Sequence, residues 1–169
     1  MAEWEVVPLA RSHERHEFTC GKEPLDRFLH ALVNQYEKRR IGRTFVAVRA
    51  GEKRVLGYYT LASGAIPFAS FPPEASRKLP RHPVPAILLA RLAVDQSAQG
   101  QGLGGILLGD ALLRCLALAE QLGVYAIEVE AIDQQARTFY ERHGFALLLD
   151  DQLHLYLPMA TIERAPRDG

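Results

Sequence analysis

Four glycines fall within six residues at Gly100-Gln101-Gly102-Leu103-Gly104-Gly105, directly ahead of a long apolar segment. Glycine has no Cβ, so backbone N–H groups there can approach an oxyanion closely and the chain can take positive φ. Where a helix opens at such a turn, its first amides have no intrahelical acceptor and lie at the positive end of the macrodipole. That combination suits a phosphate or a diphosphate. The bland alternative is a turn that only packs a helix on a sheet, and four glycines at one helix start make it the weaker reading.

The same residues fit the dinucleotide fingerprint G-x-G-x-x-G, yet the context argues against a nicotinamide site. In that fold the glycines leave the first strand directly, and an acid some twenty residues on holds the ribose. Here Asp95–Gln99 separate strand from glycines, and the strand comes late in the chain. No Gly-Lys-Ser/Thr comes after them, which excludes a P-loop. Cys20 and Cys115 stand far apart in no ligand or redox spacing, so no metal site is expected. A second cluster with chemistry in it is Ala136-Arg137-Thr138-Phe139-Tyr140-Glu141-Arg142-His143-Gly144-Phe145. Tyr140 lies one helical turn after Ala136, on the same face.

The elements that position these residues are legible as periodicities. Trp4–Ala10 alternates loosely and opens the chain as a strand. Leu25, Phe28, Leu29, Leu32, Val33 and Tyr36 form one helical stripe behind Pro24, ending at Lys38-Arg39-Arg40 with Gly42 as the stop. Arg43–Ala50 and Arg54–Ile66 read as an antiparallel hairpin across Gly51-Glu52-Lys53. Six prolines make residues 67–85 a long loop. Ala86–Val94 is a strand buried on both faces, Gly102–Leu122 a buried helix, and Val124–Ala131 another strand. Asp133–His143 is a short helix with Asp133 as N-cap and Gly144 as C-cap. Phe145–Asp150 and His154–Met159 close the sheet, and residues 160–169 read as a frayed tail. The whole, 1–169, reads as one domain.

Composition sets further bounds. The chain is 48% hydrophobic and 24% charged, with 20 basic residues offset by 20 acidic ones. A zero net charge removes any bulk field for a polyanion, so such a partner has to be held by local clusters. Lys38, Arg39, Arg40 and Arg43 form one cluster, and Arg77, Lys78, Arg81 and His82 another. Each is either a solvated face or a phosphate contact. Arg91, a charge within an apolar run, either faces a substrate channel or is a paired structural arginine. No apolar run reaches the length of a membrane span, and the opening residues are neither signal nor transit peptide, so a cytoplasmic setting is expected.

Gln99-Gly100-Gln101-Gly102-Leu103-Gly104 after an apolar strand resembles the Q/R-x-x-G-x-G/A signature of the GNAT N-acetyltransferase superfamily. Ala136–Phe145 resembles that superfamily's A-x-x-F-Y-x-x-x-G-F segment, at the expected separation. The resemblance implies an α/β (α+β) fold: a mixed, mostly antiparallel sheet of six to seven strands, splayed at its centre and flanked by about four helices. It implies acetyl-CoA as cofactor, with Leu92, Ala93 and Val94 pairing with the pantetheine arm. Gln99, Gly100, Gln101, Gly102, Leu103, Gly104 and Gly105 would hold the pyrophosphate, and Asp133 and Ala136 would flank the thiol end. Tyr140 would protonate the departing thiolate, since a phenol stays protonated at neutral pH. The base is not identified: Glu128, Glu130, His143 and His154 read as solvated or packing residues.

A second layer of similarity narrows the acceptor. Phe18-Thr19-Cys20-Gly21, Leu25-Asp26-Arg27-Phe28-Leu29, Gly57-Tyr58-Tyr59-Thr60-Leu61 and Leu89–Asp95 resemble the GNAT toxins of bacterial toxin–antitoxin pairs. That likeness implies acetylation of the α-amine of aminoacyl-tRNA, a block on translation, a small ribbon–helix–helix antitoxin and a homodimer. The basic clusters and Arg91 are then the candidate tRNA contacts. The competing expectations are an acetyltransferase for a small amine and a non-catalytic acyl-CoA-binding module.

Overall fold

The computed structural model describes residues 3–165. Its elements run β1 (Trp4–Pro8), α1 (Glu23–Arg27), a π-helical turn (Phe28–Leu32), α2 (Val33–Lys38), β2 (Arg43–Arg49) and β3 (Gly57–Ile66). Then come α3 (Pro73–Ser76), β4 (Val84–Val94), α4 (Leu103–Ala119), β5 (Ala126–Glu130), α5 (Gln134–Arg142), β6 (Ala146–Leu147), β7 (His154–Pro158) and α6 (Met159–Arg164). The seven strands are ordered β1-β2-β3-β4-β5-β7-β6. Neighbours β1–β2, β2–β3, β5–β7 and β6–β7 pair antiparallel, whereas β4 and β5 run parallel. This is the mixed, mostly antiparallel sheet expected. The β4–β5 register runs from Ala86↔Ala126 to Leu89↔Val129, while β4 itself continues to Val94.

The chain divides into two compact units, residues 1–62 with 90–112, and 63–89 with 113–169. Within the first, Phe18, Phe28, Leu29, Val33, Val46, Val48, Val55, Tyr58 and Ala93 form a buried cluster. Its aromatics meet edge to face and stacked: Phe18–Tyr58 at 5.5 Å, Phe28–Tyr58 at 6.1 Å and Phe28–Tyr36 at 5.0 Å. In the second, Ile66, Phe71, Val84, Ala86, Ala126, Leu148 and Tyr156 cluster, with Phe71 edge-on to Tyr125 and Tyr156. Burial of such side chains contributes about 1.5–3 kcal/mol each.

Several expectations change in detail. The helical stripe from Leu25 to Tyr36 is broken by the π turn, which accommodates one extra residue and rotates the residues beyond it by about 100°. Gly42 is not the stop: Arg40 takes the left-handed position, at φ 59°. A hydrogen bond from the Ile41 amide to the Tyr36 carbonyl closes that end. The proline-rich stretch is not wholly irregular. A 3-10 turn at Phe68–Ser70 and α3 interrupt it, and buried Phe71 anchors it. The tail expected to fray from Ala160 is instead helical to Arg164, because Met159 and Ile162 are buried. Residues 166–169 lie outside the described residues. Among the described residues no helix is long and apolar enough to cross a membrane.

Candidate functional site

Asp95 organises the approach to the glycine turn. This carboxylate is buried, and it accepts from the Thr19 amide at 2.8 Å, the Ser97 amide at 3.0 Å and the Ser97 hydroxyl. Arg54 Nη2 lies 3.6 Å away. Burial alone would raise its pKa, but the bonds from Ser97 and Thr19 and the arginine outweigh it and hold the group ionised. Sequence reading missed Asp95, whose signal was an acid followed two residues on by a serine at the end of an apolar strand.

The Gln99 side chain has a structural role beside the one expected of its backbone amide. Its side-chain amide donates to the Val94 carbonyl at 2.9 Å and the Cys20 carbonyl at 3.0 Å. That side chain braces the end of β4 against the Phe18–Gly21 segment, leaving the backbone of the turn for any ligand. Gly100 and Gly102 have φ of 80° and 84°, the left-handed region that favours glycine. An added Cβ at either would meet nothing within 4 Å. Open space thus lies over both. Among the described residues, the exposed Gly100, Gln101 and Gly102 amides meet no backbone acceptor. Gly104 and Gly105 lie inside α4, where they are not in the positive-φ region. Leu103 is buried and seats the helix start. The donor set, backbone amides at the mouth of a 17-residue helix, fits a diphosphate.

The second unit carries β5 and α5. Asp133 caps α5, its Oδ1 accepting from the Ala136 amide at 2.9 Å. Gly144 ends it at φ 93°. The N-cap is as the sequence predicts; the C-cap is His143, with Gly144 one residue beyond it. Tyr140 is buried against Phe139 (5.3 Å) and Phe145 (5.4 Å), and burial pushes its phenol well above the ordinary tyrosine range. A proton is therefore present on that oxygen at any working pH. His143 and Glu130 sit at exposed positions, as expected of them.

Glu128 and His154 do not. His154 Nε2 lies 3.0 Å from Glu128 Oε1, and Nδ1 lies 2.9 Å from Asp150 Oδ2. The Glu128 hydrogen bond, against the opposing pull of burial and with help from Asp150, raises the histidine pKa to about 9. His154 is thus an imidazolium with both N–H groups donating to carboxylates. Glu128 Oε2 is buried without a hydrogen-bond partner. A Cβ at Gly64 would sit 2.5 Å from that oxygen, so a side chain there would make the carboxylate shift. The sequence held no signal for this trio, since the partners are 4 and 26 residues apart in chain order.

The basic candidates are divided between the two units. Lys38, Arg39 and Arg40 are exposed in the first, where Arg43 pairs with Glu37 at 2.7 Å. Arg77, Lys78 and Arg81 are exposed in the second, with Arg81 6.0 Å over the Phe68 ring.

A parallel β4–β5 pair in a mostly antiparallel sheet, a glycine turn opening α4 and a capped α5 bearing Tyr140 fit a transferase of the acyl-CoA type. Residues 40–147 match the family model for an acetyltransferase (GNAT) domain, and the chain belongs to that family. It is similar, at 44% identity over 144 residues, to a "tRNA-acetylating toxin" of Mycobacterium tuberculosis (strain ATCC 25618 / H37Rv), with 84% of each chain covered. The crystal structure of a tyrosine-to-phenylalanine mutant of KacT matches with TM-score 0.91 at 30% identity, covering 96% of this chain and 98% of that one. AtaT complexed with acetyl-methionyl-tRNAfMet matches with TM-score 0.89 at 31% identity, covering 95% and 98%. A mutant AtaT bound to the C-terminus of the antitoxin AtaR and acetyl-CoA gives 0.81 at 28%, covering 95% and 96%.

Proposed function

We propose that this chain is an acetyl-CoA-dependent toxin that acetylates the α-amine of aminoacyl-tRNA and so arrests translation. The observation that carries the reading is the open, left-handed Gly100–Gly102 turn with exposed amides, in a chain 44% identical to a tRNA-acetylating toxin. Acetyl-CoA supplies, when bound, an acetyl group on a thioester that an amine can attack. The amides of Gln99, Gly100, Gln101, Gly102 and Leu103, with Gly104 and Gly105 in the first turn of α4, hold its diphosphate through fixed donors and the helix dipole. The backbone of Leu92, Ala93 and Val94 would pair with the pantetheine arm, and the Val94 amide would polarise the thioester carbonyl. Asp133 and Ala136 would flank the thiol end. Tyr140 would supply the proton that the departing sulfur takes up.

Lys38, Arg39, Arg40 and Arg43, and separately Arg77, Lys78 and Arg81, contact tRNA phosphates despite the zero net charge. A small ribbon–helix–helix antitoxin is the neutralising partner, the toxin works as a homodimer, and its setting is the cytoplasm. Support for an antitoxin comes from AtaT, which is seen with the C-terminus of AtaR. Regulated expression in a bacterium tests the whole reading. Induction should stop growth and protein synthesis, and Tyr140→Phe should restore both. Unchanged growth with wild-type protein present would refute the toxin reading.

A further inference from the structure

Arg91 sits in the sequence Val84–Val94, an otherwise uncharged strand, and its surroundings are unlike those of a paired structural arginine. Its guanidinium carbon lies 3.7 Å over the Phe28 ring and 5.1 Å from the Tyr36 ring. Phe28 is itself fixed: it is 1% exposed, stacks on Tyr58, and meets Tyr36 edge-on. Tyr58 is locked by a 2.6 Å hydrogen bond to the Leu25 carbonyl. The π turn begins at Phe28, and irregular turns of this kind concentrate where a helix has been reshaped for a site. Its effect here is an aromatic seat in which the Phe28 and Tyr36 faces both meet one cation.

The seat satisfies the face of the guanidinium and none of its edges. A guanidinium carries five N–H donors in a planar fork. Among the described residues Arg91 has no hydrogen bond and no ion pair; the two ring contacts are its direct partners. The residue is half-buried, yet no nitrogen of it is among the buried atoms lacking a partner, so the fork opens to solvent. A structural arginine normally closes its donors on carbonyls or carboxylates. An arginine immobilised on aromatic faces with its fork free is pre-organised for an anion that offers two oxygens side by side.

Accepting the aminoacyl-tRNA reading, we propose that Arg91 is a phosphate-recognition residue whose fork takes a phosphodiester of the acceptor strand beside the esterified amino acid. Phosphate is favoured over a carboxylate because the RNA presents one at every linkage, whereas most amino acids carry no side-chain carboxylate. The same chemistry has a second source, the phosphates of the cofactor, and the experiment separates the two.

Wild type, Arg91→Lys, Arg91→Gln and Phe28→Leu are assayed with three acceptors: charged tRNA, an aminoacyl dinucleotide with one phosphodiester, and a phosphate-free aminoacyl-adenosine ester. For Arg91→Gln, KM for the first two should rise about ten- to hundredfold, the loss expected for charge-assisted hydrogen bonds. Transfer to the phosphate-free ester and KM for acetyl-CoA should match wild type. Arg91→Lys should recover part of the loss, and Phe28→Leu, which removes the seat but keeps the charge, should lie between. The log–log salt dependence of tRNA binding should become shallower by about 0.7–0.9 on losing one phosphate contact. Equal losses on all three acceptors would make Arg91 structural and overturn the proposal, as would an effect confined to KM for acetyl-CoA. Wild type active on all three with unaltered Arg91 variants would refute this role alone. Wild type active on none would instead remove the aminoacyl-tRNA reading, and the proposal with it.

Discussion

Tyr140 keeps its proton because it is buried, and on the proposed reading that proton goes to the departing sulfur. Tyr140→Phe keeps the ring contacts with Phe139 and Phe145 and deletes only the oxygen. Steady-state assays should show kcat falling by about 10²–10⁴-fold with KM for acetyl-CoA unchanged. A second residue-scale prediction concerns His154. Its folded pKa of about 9 lies above the unfolded value near 6.5. The stability it contributes is therefore fully present below about pH 6.5 and is lost as pH rises through about 9, amounting to about 3 kcal/mol as an upper figure. Urea denaturation across that window should reveal the loss, and His154→Gln should flatten the profile while lowering stability at pH 6. Tyr140 was legible in the sequence because it lies in a contiguous motif. The Glu128–His154–Asp150 trio was not, since nothing in a chain of residues says that Glu128 on β5 and His154 on β7 lie diagonally across that strand pair, where the direct partner of His154 is Glu130.

At the scale of elements, the turn before α4 separates glycines by what the backbone asks of them. Gly102 is left-handed with open space over it, so Gly102→Val strains the backbone and also fills the cradle. KM for acetyl-CoA should rise by about tenfold or more, the equivalent of 1–3 kcal/mol of strain passed to the ligand site. Titration calorimetry with coenzyme A checks this without depending on turnover. Apolar periodicity located every strand and long helix here, because Val, Ile and Leu report burial directly. It put the end of the first helical segment in Lys38-Arg39-Arg40, where it lies, but named the wrong stop: Arg40 tolerates the modest strain of positive φ, helped by the Ile41–Tyr36 hydrogen bond, where a glycine two residues on looked easier. The π turn was invisible because a single extra residue leaves Phe28, Leu29, Leu32 and Val33 still apolar and still spaced like a helix. The brace made by the Gln99 side chain was not legible, as a glutamine's partners depend on which carbonyls approach it.

For the molecule as a whole, zero net charge means that attraction to tRNA has to come from patches rather than from a general field. The match of residues 40–147 to the family model places the chain in the GNAT family, and a fold of that kind leaves the acceptor open. The acceptor is what one measurement decides most directly: mass spectrometry of deproteinised, charged tRNA after incubation with acetyl-CoA and pure protein. The account predicts that the terminal aminoacyl adenosine gains the mass of one acetyl group on its α-nitrogen, with none gained when Tyr140→Phe replaces wild type. Acetyl recovered only on free small amines, with every aminoacyl ester unmodified, would contradict it.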